Sequence, residues 1–291
     1  MVVKKGNNKM HWVKKNIFVI LFVFINMFIA LYFFCTRNNP TVYDLSGHFA
    51  SAKFFSQGYF HAYNDFQFLG FVQNLFYPPM QDIIITIISF FTSKNFATAG
   101  LVYISLLYFF YLVSISYLAK IIHNPLVQST FLFLVTLWLL LDKNTGIGIG
   151  LSFFDLMQTG LSTQFLGTIF FLILMRKIIE NKNYLQITIF LTLCILSHIF
   201  VGLLALAFVF GYVLKNKKYF YSLFIALGLS SVCWLPFIFY SKYVIKYAIY
   251  DNASSKLIIL SLLCVVLFLL KRKYSVLLIG AFCIFILNAM G

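Results

Sequence analysis

From Ile17 to Phe34 the chain carries no charged side chain, and runs of this kind recur along its length. A helix rises 1.5 Å per residue, so about 20 apolar residues cross the hydrocarbon core of a bilayer. Comparable runs cover 97–119, 126–141, 159–175, 219–240, 257–270 and 274–290. The stretch from Tyr184 to Leu214 is too long for one crossing. It divides at Ser197-His198, which predicts two short helices forming a hairpin. A soluble domain is about a quarter charged, because its surface must stay in water. Here 10% of residues are charged and 62% hydrophobic, too few charges to cover a globular surface. The prediction is an all-α fold: a polytopic transmembrane helical bundle of about nine spans.

The net charge of +15 does not point to nucleic acid. The basic residues sit in short clusters between apolar runs, at Lys14-Lys15, Arg176-Lys177, Lys215 to Lys218 and Lys271-Arg272-Lys273. That is the pattern of cytoplasmic loops under the positive-inside bias. Residues 80–92 are apolar but only thirteen in number, and they follow Pro78-Pro79. Read as a re-entrant or surface-lying helix, they bring every later basic cluster inside; read as a span, they put Arg176-Lys177 outside. The first option is adopted. Lys120, Glu180 and the basic clusters then fall on the cytoplasmic side. Asp44, Asp65, Asp82, Asp142, Asp155 and Asp251 fall outside with His48, His61 and His198. Residues 1–15 read as a cytoplasmic N-terminus and 16–291 as one transmembrane domain. The first apolar run has no small-residue cleavage site after it and reads as a retained anchor. Cys35, Cys194, Cys233, Cys264 and Cys283 form no CxxC pair, and most behave as small hydrophobes.

The largest loop, 36–79, is exoplasmic in this topology and carries the candidate site. If Asp44 to Phe55 is helical, Asp44 and His48 share a face at i, i+4. Asp44 lies a few residues beyond the first span, where a carboxylate can meet both a lipid head group and a water-borne acceptor. The competing reading is that Asp44 caps a surface helix. His198 interrupts two apolar helices, where a polar residue is expensive; alternatively it closes a tight hairpin. Gly146, Gly148 and Gly150 precede Asp155 in a flexible outer loop and lack dinucleotide-binding spacing. Asn252-Ala253-Ser254 fits a glycosylation sequon.

Taken in order, the first apolar run, Tyr43-Asp44-x-x-x-His48, Gly58, Leu69-Gly70 and Tyr77-Pro78-Pro79 resemble the opening of the GT-C membrane glycosyltransferases. More narrowly, they resemble the integral membrane proteins labelled "6-pyruvoyl-tetrahydropterin synthase-related". Downstream, Leu196-Ser197-His198 resembles a helix-breaking Thr/Ser-His-Pro element, with Ile199 where proline is common. Trp234-Leu235-Pro236-Phe237 resembles a Trp-x-x-Pro element at the end of a span. The resemblance implies a GT-C-like fold, a sugar donor carried on polyprenyl phosphate and a saccharide or protein acceptor at the exoplasmic face. It implies that Asp44 is the catalytic base, with His48 orienting it or binding phosphate. Arg37, Lys53 and Lys143, with His198, are the candidate phosphate-binding groups, and Asp65 and Asp155 the further candidate acids. No cofactor is required by the resemblance; a divalent cation (Mg or Mn) held by Asp44 and Asp155 stays open. Relatives are commonly longer, so the chain is expected to match an N-terminal portion of the family pattern, a shortened copy or one part of a split system. Two other classes compete: a transporter or flippase of lipid-linked sugars, and a non-catalytic degenerate homologue.

Overall fold

A computed structural model of the chain describes residues 7–36, 44–58, 63–64, 71–72, 78–141, 156, 162–213 and 216–240. Ten α-helices appear among them: α1 (Asn7–Thr36), α2 (Asp44–Ser56), α3 (Met80–Phe91), α4 (Phe96–Ala119), α5 (Pro125–Leu141), α6 (Ser162–Ile179), α7 (Tyr184–Ser197), α8 (Ile199–Val213), α9 (Phe220–Leu229) and α10 (Ser231–Tyr240). The fold is all-α apart from a two-residue antiparallel pair, Tyr63-Asn64 against Phe71-Val72. Asparagine opens several helices. The Asn95 and Asn183 side chains accept from the backbone N–H groups of Thr98 and Gln186, and Asn124 accepts from Leu126 with Pro125 in the first turn. Each satisfies a donor that the helix itself leaves unpaired.

Helix α6 is the centre of the assembly. It packs against α3, α4, α7 and α8, and is buried on most of its circumference. Aromatic edges seat it on both sides: Phe165 meets Tyr111 of α4 at 5.0 Å, and Phe171 meets Phe208 of α8 at 5.8 Å.

Helices α7 and α8 form the predicted hairpin. The break is His198, extended at φ −158° and ψ 125°. At the far end the chain returns to its start: Lys218 Nζ and the Tyr219 hydroxyl both donate to Asn181 Oδ1, at 2.7 and 3.0 Å. Gly202 allows the two helices to approach closely, since a Cβ there would lie 2.8 Å from the Ile195 Cα.

Among the described residues, Phe96–Ala119 and Ser162–Ile179 are the helices long and apolar enough to cross a membrane by length and composition. Asn16–Tyr32, Pro125–Leu137, Tyr184–Ser197 and Ile199–Val213 are apolar but shorter, and the expected spans 257–270 and 274–290 lie outside the described residues. Helix α3, at twelve residues and about 18 Å, is shorter than the hydrocarbon core, as its sequence predicts. The expected continuous span 219–240 is instead two helices meeting at Ser230. Pro236 lacks an N–H for the helical ladder, and Trp234 Nε1 turns back to the Leu227 carbonyl at 2.8 Å. The outer surface carries Phe24, Phe28, Phe91, Phe133, Phe224 and Phe239, each at least 60% exposed. Apolar exposure on this scale suits a lipid surround rather than water.

Candidate functional site

A group of basic residues collects at one end of the bundle. Arg176, in the last turn of α6, donates through Nε to Glu180 Oε1 at 2.5 Å and through Nη1 to the Tyr117 carbonyl at the end of α4. Its guanidinium lies 3.7 Å from the Tyr117 ring centroid. Lys177, Lys182, Lys217 and Lys218 share this end, because Asn181 ties the α6–α7 turn to the turn before α9. Asp82 and His198 lie at the opposite end of α6 and of the hairpin.

At that opposite end a buried polar cluster draws on four segments. Pro78 and Pro79 are buried just before α3, and a proline pair has no N–H groups to leave unmatched. Gln81 and Asp82 follow in the first turn of α3, 1% and 4% exposed. The Asp82 carboxylate is well placed there, since the helix N-terminus is electropositive. Ser51 of α2 donates to Asp82 Oδ2 at 2.7 Å, and Thr86 of α3 donates to the Ala52 carbonyl of α2 at 3.1 Å. Ser162, opening α6, donates to Gln81 Oε1 at 2.5 Å, and the Tyr103 hydroxyl of α4 reaches the same oxygen at 3.4 Å. The Gln81 amide nitrogen is buried with no partner among the described residues, a deficit of about 1–3 kcal/mol when left uncompensated.

Helix α2 is seated on this cluster. Phe49 projects into the space left by Gly100 of α4, where a Cβ would meet the ring at 2.1 Å. Asp44 is the first residue of α2 and His48 lies one turn on, half-buried, so the backbone sets the two at i, i+4 on one helix. Lys53 is exposed and sits nine residues from Asp44, about half a turn away around the helix, so it does not share that face. His198 caps α7 at the same end of the bundle. Its Cβ is 3.2 Å from where a Cβ on Gly167 of α6 would stand, and its Nδ1 is buried without a partner among the described residues. Its ring tilts against Phe200 at 5.8 Å.

Arg37, Asp65, Lys143, Asp155 and the Asn252 sequon lie outside the described residues. Among the described residues no three His, Cys, Asp or Glu side chains converge as a metal site. Asp155 lies outside them, and Asp44 is placed by its backbone at the start of α2. The sequence reading counts Asp82 only as an outer acid and assigns nothing to Gln81, Ser51, Tyr103 or Ser162. The available signal was a Gln-Asp pair at the head of an apolar run, one residue after a proline pair. Chemically, the arrangement offers a buried carboxylate, an unmatched amide donor and an adjoining helix whose first turns carry Asp44 and His48. No protein-family model, curated protein or solved structure matches the chain.

Proposed function

We propose that this chain is a membrane-embedded glycosyltransferase of the GT-C type, moving a sugar from a polyprenyl-phosphate donor to a saccharide or protein acceptor. In this reading the basic end is cytoplasmic, the polar end exoplasmic, and the bundle multi-pass in a cell membrane. One observation carries the reading: the helix that begins at Asp44 is pinned through Ser51 to buried Asp82, at the end opposite the basic clusters. The sequence resemblance assigns its catalytic acid to that same helix.

The chemistry asks little of the protein, because a lipid phosphate is already a good leaving group. Asp44 takes the proton from the acceptor hydroxyl as its oxygen bonds to the anomeric carbon. The bond from that carbon to the donor phosphate oxygen breaks, and polyprenyl phosphate departs. A positioned base of this kind contributes roughly 10²–10⁴-fold. His48 orients the carboxylate, the unmatched Gln81 amide donates to a substrate oxygen, and Arg37 and Lys143 are the cations offered to the phosphate.

The test is transfer of radiolabelled sugar from polyprenyl-phosphate donors in membranes carrying wild type or Asp44→Asn at matched expression. Transfer by wild type that drops by about 10³-fold in the variant supports the assignment. A wild-type chain that transfers from no donor, or a variant that keeps full activity, removes it.

A further inference from the structure

A cavity of about 570 Å³ lies between α3, α4, α6 and α7, and its chemistry is that of a lipid-chain groove. It follows α4 from Tyr103 to Tyr117, fourteen residues or about 21 Å. One leaflet of hydrocarbon is about 15 Å deep, so the groove is long enough for a full acyl chain. Its volume falls within the roughly 300–1,000 Å³ typical of ligand sites. Leu106, Phe110 and Val113 line it at helical spacing and are 38–52% exposed, so it opens sideways along the bundle rather than at its ends.

The two ends differ in charge. At the basic end the lining includes Lys177, whose ammonium stands 5.6 Å from the Tyr117 ring centroid. Neighbouring Arg176 is engaged by Glu180 and the Tyr117 carbonyl, whereas Lys177 forms no ion pair within 4 Å among the described residues. At the other end Tyr103 lies beside the Asp82 cluster, where a carboxylate disfavours a second anion. An amphiphile entering this groove is therefore oriented, with its anionic head at Lys177 and its tail towards Tyr103.

We propose that the groove holds one acyl chain of an anionic phospholipid from the leaflet at the basic end, with the phosphate at Lys177. Its head-group end lies at the opposite end of the groove from the proposed transfer site, and the proposal does not depend on that function. A lysine near an anionic lipid surface is worth about 1 kcal/mol, so its loss weakens retention about fivefold.

The experiment uses the full chain in nanodiscs with phosphatidylglycerol carrying a photoreactive group on its acyl chain. Labelling is expected on α4 and α6 peptides lining the groove, displaced by unlabelled phosphatidylglycerol but not by phosphatidylcholine. Lys177→Gln should cut labelling about fivefold, and Val113→Trp should block the groove with the lysine intact. Should either variant fail to fold, the wild-type competition decides. Equal displacement by phosphatidylcholine overturns the proposal, as does displacement by polyprenyl phosphate but not phosphatidylglycerol. Labelling unchanged in both folded variants overturns it too.

Discussion

Arg176 and Gln81 are both polar side chains at least partly buried near opposite ends of α6, yet their surroundings treat them differently. Arg176 has a carboxylate, a backbone carbonyl and an aromatic face arranged around it. Asn181 nearby accepts from Asn216, Lys218 and Tyr219, and Ser222 donates to the Tyr184 carbonyl at 3.0 Å. The exception at this end is Gln186, whose amide oxygen is buried without a partner. At the polar end the Gln81 amide nitrogen and a His198 ring nitrogen are buried without a partner among the described residues. Buried polar groups are ordinarily satisfied, so unmatched ones in a cluster are where a ligand or water is expected. The basic end is built for stability, and the polar end retains unused hydrogen-bonding capacity.

The largest effect should come from dismantling the basic end. Arg176→Ala removes the Glu180 pair, leaves the Tyr117 carbonyl without its donor and strips the ring of its cation. The expected loss is about 3 kcal/mol, read as a drop in thermal midpoint of the detergent-solubilised chain. A midpoint shift no larger than that of an exposed control outside the network, such as Lys120→Ala, would show that the network is ornamental. Next in size is Gly100→Val, which drives a side chain into the Phe49 ring and should lift α2 from its seat. Overpacking of this kind costs about 2 kcal/mol, and sugar transfer should fall with it. If the chain stays active, the α2 seat does not position the catalytic residue.

How far this contrast was legible in the sequence depends on the range of the interactions. The apolar runs announce helices, and Ser197-His198 inside one of them announces the hairpin, because a polar break in an apolar run has few other uses. Asp44 marks the start of α2 as an acid in the turn that favours one. The polar cluster left only a weak mark, the Gln81-Asp82 pair after two prolines. Ser51, Gln81, Tyr103 and Ser162 come from four segments, with Ser162 separated by 81 positions from the residue it meets. No local period encodes such a meeting, and a glutamine at a helix start looks like any other. The kink at Ser230 was concealed for a different reason: Pro236 sits near the end of an apolar run, where it reads as a terminator. The expectation of about nine spans rests on the succession of apolar runs, two of which, 257–270 and 274–290, lie outside the described residues. Among those described, two helices meet the length and hydropathy for crossing.

Gln81→Leu sharpens the comparison, because it should separate stability from function. The substitution deletes the unmatched amide and with it a standing penalty, while the Ser162 and Tyr103 hydroxyls lose one acceptor. These changes offset, so stability should move by less than about 1 kcal/mol. Transfer activity, which uses the amide in the proposed mechanism, should nevertheless fall. A variant that loses stability and activity in proportion would mark Gln81 as a packing residue only.

The smallest effect belongs to Glu180, and its pH dependence identifies its source. The Arg176 hydrogen bond, reinforced by the charges of Arg176, Lys182 and Lys177, holds the Glu180 carboxyl below its ordinary range against a smaller opposing effect of burial. A depressed acid binds protons more weakly folded than unfolded, so its stabilisation is complete above the unfolded value of about 4.3. It is lost as pH falls below that value and through the folded one. The pair is partly solvated, which limits the contribution to less than about 1 kcal/mol. Wild type should therefore lose slightly more stability on acidification than Glu180→Gln, and the two curves should converge at low pH. Because salt screens a partly exposed pair, the gap at neutral pH should narrow at high ionic strength. A gap that persists in salt and acid alike would mean that Glu180 acts through packing, and that Arg176 is held chiefly by Tyr117.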